Sequence, residues 1–222
     1  VCCPKDVGGM GIKDSRAWNR AAIMKIGWDM CRRKDSVWTK WCNVVLLKDY
    51  NFWVAPVTRA CSWSWRNILQ IRKFLIHKVL YEVKNGNTFS LWFDPWFLGA
   101  SIADLYGMRV IQVSGIPRNA KISSVIRVGR WDWPILRVLT EIINSTAVIH
   151  LPTGSDKVHW RRKDDIFSLH EAWMAFIPQY PAVSWTHMAW FPRRIPKHSF
   201  CFWLTFRDAH KTLDKLYRVG VV

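Results

Sequence analysis

The residues of this chain best suited to chemistry are a carboxylate in an aromatic setting, one adjacent pair of carboxylates, and several runs of cations. Asp94 stands in "FSLWFDPWF" between Trp92 and Trp96. A carboxyl held in an apolar pocket can serve as a general acid, and metal-dependent cleavage of nucleic acid with Asp94 beside Asp104 or Asp132 is the reaction it would support. That chemistry needs a second carboxylate, a His or a metal ligand at hand. None lies near Asp94 in sequence, so the expected role is a rigid bend at Asp94-Pro95 whose carboxylate accepts from backbone or indole N–H groups. Asp164-Asp165 is the only adjacent acidic pair and follows Arg161-Arg162-Lys163. It reads as a solvated turn, and no catalytic residue is assigned.

Metal chemistry has equally little to work with. The six cysteines, Cys2, Cys3, Cys31, Cys42, Cys61 and Cys201, and the seven histidines show no ligand spacing of the C-x-x-C kind. No metal ligand is assigned. The cysteines form no disulfide framework either, which points to a reduced, intracellular chain in the nucleus or cytoplasm. No signal peptide is visible, and no apolar run approaches the ~20 residues of a membrane span. The first residue is Val1, which fits a processed chain or a piece of something longer.

The cations are the stronger signal. Lys and Arg number 33 against 16 Asp and Glu, a net charge of +17, and the excess is spread along all 222 residues. With 16 Trp, the combination suits a polyanionic partner: each phosphate neutralised releases a counterion, and aromatic faces stack on bases. No carboxylate stands between Ala172 and Arg207, so Arg193, Arg194 and Lys197 make a local positive site.

Half the residues are apolar, enough for a core, and their spacing predicts which elements carry these groups. Asp14 can cap a helix over about 15–33, with Trp18, Ala21, Ala22, Lys25 and Trp28 at helical spacing. A second helix follows Asp35 or Ser36, its inward stripe being Val37, Trp38, Trp41, Val44 and Val45. Ser64 can cap a third, whose face is Trp65, Ile68, Leu69, Leu75, Ile76 and Val79. The period then changes to alternation through Val83, Phe89, Leu91 and Phe93, and Asn85-Gly86 predicts a β-hairpin turn. A helix over about 134–143 after Asp132 and a hairpin over 157–165 are expected next. Ser168 and Glu171 form a capping box for a helix that Pro178 ends. An apolar helix near 199–207 and a last short one between Thr212 and Gly220 complete the prediction, an α+β fold that is mainly helical with short β-hairpins.

Taken in order, these stretches resemble the region downstream of the polymerase core in plant LINE-type non-LTR retrotransposon reverse transcriptases, running into the reverse transcriptase zinc-binding domain (zf-RVT). "GGMGIKDSRAWNRAAIMKIGW" is similar to the segment that follows the palm, with Gly8, Gly9, Gly11, Asn19, Ala21, Lys25 and Trp28 matching and Met10 in place of a usual Leu. "SWSWRNILQIRKFL" resembles a Trp-Arg-x-Ile-Leu helix of the family. "VKNGNTFSLWFDPWF" resembles its Phe-Trp-x-Asp-x-Trp signature, carried here by Gly86, Trp92, Asp94 and Trp96. "DDIFSLHEAWMAF" and "WFPRRIPKHSFCFWLTFRDAHKTLDKLYRVGV" look like the start of zf-RVT, with Asp165 and Trp173 where Gly and Tyr are common.

The resemblance implies a thumb-like helical segment over 1–60, a connector with helix and hairpins over 61–165, and the N-terminal part of zf-RVT over 166–222. It implies no zinc here, because the family's Cys and His ligands lie beyond the Leu-x-x-x-Gly-Val step at the end of this sequence. It implies no polymerase activity, because the Tyr-x-Asp-Asp carboxylates are absent. The expected function is therefore a non-catalytic fragment of a retroelement polyprotein that binds template or primer, RNA or DNA. Candidate phosphate contacts are Arg16, Arg20, Lys25, Arg32, Arg33 and Lys34, with Arg161, Arg162, Lys163, Arg193, Arg194 and Lys197 as a second group. An inactive relic of a decayed element is the alternative.

Overall fold

A computed structural model describes residues 2–134, 139–147, 149–160, 166–218 and 220. The architecture is α+β and mainly helical, with two small antiparallel two-stranded sheets. Contacts divide the chain into two units, one made of Val1–Ala21 with His170–Val222 and one of Ala22–Leu169. Helix α1, Ser15–Cys31, supplies residues to both. Among the described residues, no helix is long and apolar enough to cross a membrane.

The larger unit is built around aromatic side chains. The Asp14 carboxylate accepts the Arg16 N–H at 3.2 Å and its carbonyl accepts the Trp18 N–H, which starts α1 where the capping residue predicts. Met24, Trp28 and Cys31 form the buried stripe of its second half. The helix stops two residues short of the expected end, because Arg33 turns into the left-handed region at φ 51° and the Lys34 N–H closes onto the Asp29 carbonyl.

Helix α2, Val37–Trp41, is capped by the Ser36 hydroxyl, which accepts the Thr39 N–H at 3.2 Å. It continues as a π-helical turn, Cys42–Leu47, and here the expected stripe is wrong. Val37 is 87% exposed, Val44 74%, and Trp38, Trp41 and Val45 also face outward. Thr39, Cys42 and Leu47 are buried instead. A π turn closes i to i+5, so the inward positions advance by five residues where an α count expects three or four.

Helix α3, Trp63–Gln70, is capped by Ser62 and not by the expected Ser64; the Ser62 hydroxyl accepts the Trp65 N–H. After a break at Ile71, α4 covers Arg72–Leu75. Arg72 locks the preceding loop: its Nη1 donates to the carbonyls of Phe52, Trp53 and Ala55 at 2.8–2.9 Å.

The predicted hairpin at Asn85-Gly86 does not form. Strand β1, Val79–Glu82, pairs antiparallel with β4, Lys157–Trp160, in the register Val79↔Trp160 to Glu82↔Lys157. Val79 therefore belongs to this strand and not to the third helix. The expected 157–165 hairpin keeps only its first strand; residues 161–165 lie outside the described residues.

What Asn85-Gly86 builds is a loop around a distant carboxylate. Asp156 Oδ1 accepts the N–H groups of Lys84 and Gly86, and its Oδ2 accepts that of Thr88, all at 2.8–2.9 Å. Gly86 has φ 69°, and a Cβ there would lie 2.6 Å from the Ser123 nitrogen. Gly86 takes the positive φ that the dipeptide tolerates, but no hairpin turn follows, and the ladder partner of β1 comes from far away in the chain.

Beyond the loop, residues 91–97 are all buried, running beside 120–122 through a Ser90↔Lys121 bridge. The Trp92 indole donates to the Pro117 carbonyl at 3.0 Å, and that of Trp96 to Leu91 at 2.9 Å. Trp96 stacks on Trp131, and Trp131 on Trp133. Helices α5, Ile102–Tyr106, and α6, Arg109–Ser114, precede a two-residue hairpin of β2, Ile126–Arg127, and β3, Arg130–Trp131. Its turn is Val128-Gly129, both at positive φ, the conformation such turns require. Helix α7 is Thr140–Ala147; the expected 134–143 helix falls partly outside the described residues.

In the smaller unit, α8 begins at Leu169, directly after Ser168. α9, Thr186–Ala189, was not foreseen; α10, Pro196–Phe206, starts on a proline at its first turn, and α11 is Leu213–Arg218. The Gly8-Gly9 turn is tied to α10, since the Gly8 carbonyl accepts the Trp203 indole at 3.0 Å and the Arg207 guanidinium at 2.8 Å. A Cβ on Gly9 would overlap the Cys3 carbonyl. Trp18 meets Trp173 edge to face.

Candidate nucleic-acid interface

The predicted cations of α1 do not share one environment. Asp29 collects three of them: Lys25 Nζ and Arg32 Nη2 lie 2.8 Å from its Oδ1, and Lys34 Nζ lies 3.7 Å from its Oδ2. One carboxylate against three cations leaves a positive ridge, partly neutralised. Arg16 and Arg20 are exposed, with the Arg20 guanidinium 6.0 Å from the Phe176 ring. In the smaller unit Arg194 lies over the Trp190 ring and donates to the Phe191 carbonyl. Arg193, at φ 58°, and Lys197 are exposed. Arg161, Arg162 and Lys163 lie outside the described residues.

Arg33 differs from its neighbours. Its left-handed backbone separates it from the Asp29 cluster, and it lines a cleft of about 630 Å³ together with Tyr50, Asn51, Phe93, Arg118 and Lys121. The Arg118 guanidinium lies 5.0 Å from the centre of the Phe93 ring, a cation–π contact that orients its plane. Lys121 Nζ donates to the Thr88 carbonyl at 3.2 Å. Among the described residues, neither Arg33 nor Arg118 has a carboxylate within ion-pair distance.

Asp94 is not part of the lining but holds two residues that are, Asn51 and Ser90. Its Oδ1 accepts from Asn51 Nδ2 at 2.9 Å and its Oδ2 accepts the Ser90 N–H at 2.7 Å. The expected backbone N–H bond is present; the indoles of Trp92 and Trp96 go elsewhere. Burial raises the Asp94 carboxyl above its ordinary value, opposed by those two bonds and by the charges of Arg33 and Lys121. Burial lowers the Lys121 ammonium, and Arg33 lowers it further. Two cations of the lining thus repel each other, and the carboxylate that attracts them has both oxygens engaged.

Hydrolytic chemistry finds no constellation among the described residues. Asp104 accepts from the Ser101 hydroxyl at 2.7 Å, and Asp132 pairs with Arg127 at 2.9 Å, so neither is free to join Asp94. Burial pushes the Cys31 thiol well above its usual range, away from nucleophilic use. No three His, Cys, Asp or Glu residues come together as a metal site among the described residues. His210 instead contacts the Cys201 carbonyl and the Thr205 hydroxyl.

Sequence reading had singled out Arg33 and missed Tyr50, Arg118 and Lys121. "PRNAK", 117–121, carries two of the three cations next to a turn-forming proline, but nothing local to it indicates that it folds against Arg33.

Residues 167–222 match the family model described as zinc-binding in reverse transcriptase. A protein of Arabidopsis thaliana named "Putative ribonuclease H protein" is 27% identical over 245 aligned positions, covering 98% of this chain. The chain spans 37% of that relative's length. No solved structure matches. The two similarities agree in kind: a zinc-binding segment of reverse transcriptases is matched at the C-terminal side, and the whole chain aligns with part of a plant protein named for ribonuclease H.

Proposed function

We propose that this chain is a nucleic-acid-binding part of a LINE-type non-LTR reverse transcriptase polyprotein of plant origin, holding template or primer without performing catalysis. The observation that carries the reading is the convergence of Arg33, Arg118 and Lys121 on one cleft in a chain of net charge +17. The similarity of 167–222 to the reverse transcriptase family supports the choice of partner. In this reading 1–60 acts as a thumb-like segment, 61–165 as a connector and 166–222 as the start of a zf-RVT domain. The protein works where template and primer meet, in the nucleus or cytoplasm. No cofactor takes part through these residues.

The remainder of the polyprotein is the second partner. The outward faces of Val37, Trp38, Trp41 and Val44, and of Phe200, Phe202 and Phe206, suit segments that an intact polyprotein would lay against them.

Titrating binding of an RNA–DNA hybrid against salt tests the reading. The logarithm of affinity should fall linearly with the logarithm of salt, at about −0.9 per phosphate engaged on a duplex. Affinity that is unchanged between low and moderate salt discards it.

A further inference from the structure

Resting on the reading of nucleic-acid binding, we infer that the cleft between Arg33, Arg118 and Lys121 holds one unpaired nucleotide of a single strand, its phosphate among the cations and its base on the Tyr50 ring. The cleft measures about 630 Å³, within the range of small-ligand sites. A duplex backbone contacts an open surface and keeps its bases stacked inside. A recess of this volume has room for one nucleotide that has left the stack.

The lining assigns the roles. Phe93 is only 5% exposed and the Arg118 guanidinium lies across it, so its ring is not offered to a base. Tyr50 is 52% exposed and is the aromatic face that remains. Three cations, Arg33, Arg118 and Lys121, share the lining with one carboxylate, Asp49, and Asp94 is committed to Asn51 and Ser90, so the cleft keeps an excess of positive charge for an incoming anion.

Base discrimination is weak by the same inspection. The Asn51 amide is used on both sides: its nitrogen donates to Asp94, and its oxygen accepts the Trp53 N–H at 2.8 Å. Asn119, exposed at the rim, is the one amide of the lining without a partner among the described residues. Stacking on Tyr50 accepts any base, so the site takes nucleotides with little regard to sequence.

The test uses the whole chain, with a labelled short oligo(dT), a mixed-sequence duplex and thymidine monophosphate as probes. Tyr50→Ala and Arg118→Ala change exposed side chains, and thermal melting monitors that each variant stays folded. Each should weaken oligo(dT) binding about tenfold, the size of one lost stacking contact. Duplex binding should hold within about twofold, and Tyr50→Phe should keep the single-strand affinity. Thymidine monophosphate should displace oligo(dT) at concentrations where inorganic phosphate does not. If both alanine variants bind oligo(dT) as the parent does, or phosphate competes equally well, the cleft is not a nucleotide site and the broader reading stands. If the parent binds neither strand form at low salt, the broader reading falls with it.

Discussion

Asn51 and Asp94, 43 residues apart, are joined by a 2.9 Å hydrogen bond from the Asn51 amide to the buried Asp94 carboxylate. The bond ties the loop after the π-helical turn to the aromatic bend, and it makes the carboxylate a fastener of Asn51, a residue that lines the positive cleft.

Because burial raises the Asp94 carboxyl, the folded chain holds this proton to higher pH than the unfolded one. Between the two values the native state binds more protons, so stability falls as pH rises from the ordinary carboxyl range through the raised value, then levels. Asp94→Asn should remove that component from the difference between parent and variant. At neutral pH the variant should be weaker by about 1–3 kcal/mol, since an amide cannot accept from both Asn51 and the Ser90 N–H as the carboxylate does. Urea unfolding over a pH series gives both quantities; a difference that does not vary with pH contradicts the assignment.

Asp156 holds three backbone N–H groups of the 84–88 loop. Replacing it by Ala leaves them without that acceptor, and a loss of about 3 kcal/mol is expected. Amide hydrogen exchange at Gly86 and Thr88 should accelerate in Asp156→Ala ahead of exchange in α3. Unchanged protection there would show that the loop does not depend on this carboxylate.

Two glycines separate conformation from crowding. Gly86 and Gly115 both have positive φ, 69° and 70°, but a Cβ at 86 meets the Ser123 nitrogen while one at 115 meets nothing within 4 Å. Gly115→Ala should cost about 1 kcal/mol for the left-handed backbone. Gly86→Ala should cost well beyond that, because main chain must move. Equal losses in thermal unfolding would mean that the close approach at Gly86 is relieved freely.

Arg33 sits in a conformation that glycine adopts without penalty and faces the Lys121 charge. Arg33→Gly should therefore stabilise the fold by about 1 kcal/mol while weakening nucleic-acid binding and lowering the salt slope by about one phosphate. A variant that is both more stable and equally tight in binding would remove Arg33 from the interface.

Much of the helical layout is legible without coordinates because its causes are local. The Asp14 cap, the Ser36 cap, and the helical spacing of Ala21 and Trp28, both buried, each act within a turn or two of chain, and composition alone carries the positive charge and the aromatic core. Long-range partners are a different matter. Asn85-Gly86 has the same turn chemistry whether its strand partner is Phe89 or Asp156 and β4, and only packing selects between them. The π-helical turn at Cys42 changes which side of α2 faces inward, for want of any residue that announces it. The Gly8 carbonyl meets Trp203 and Arg207, and Arg33 comes to line one cleft with Lys121, through packing contacts that span tens to hundreds of residues. Such contacts depend on how several faces fill space at once, so the positive cleft comes into being only when the chain is folded.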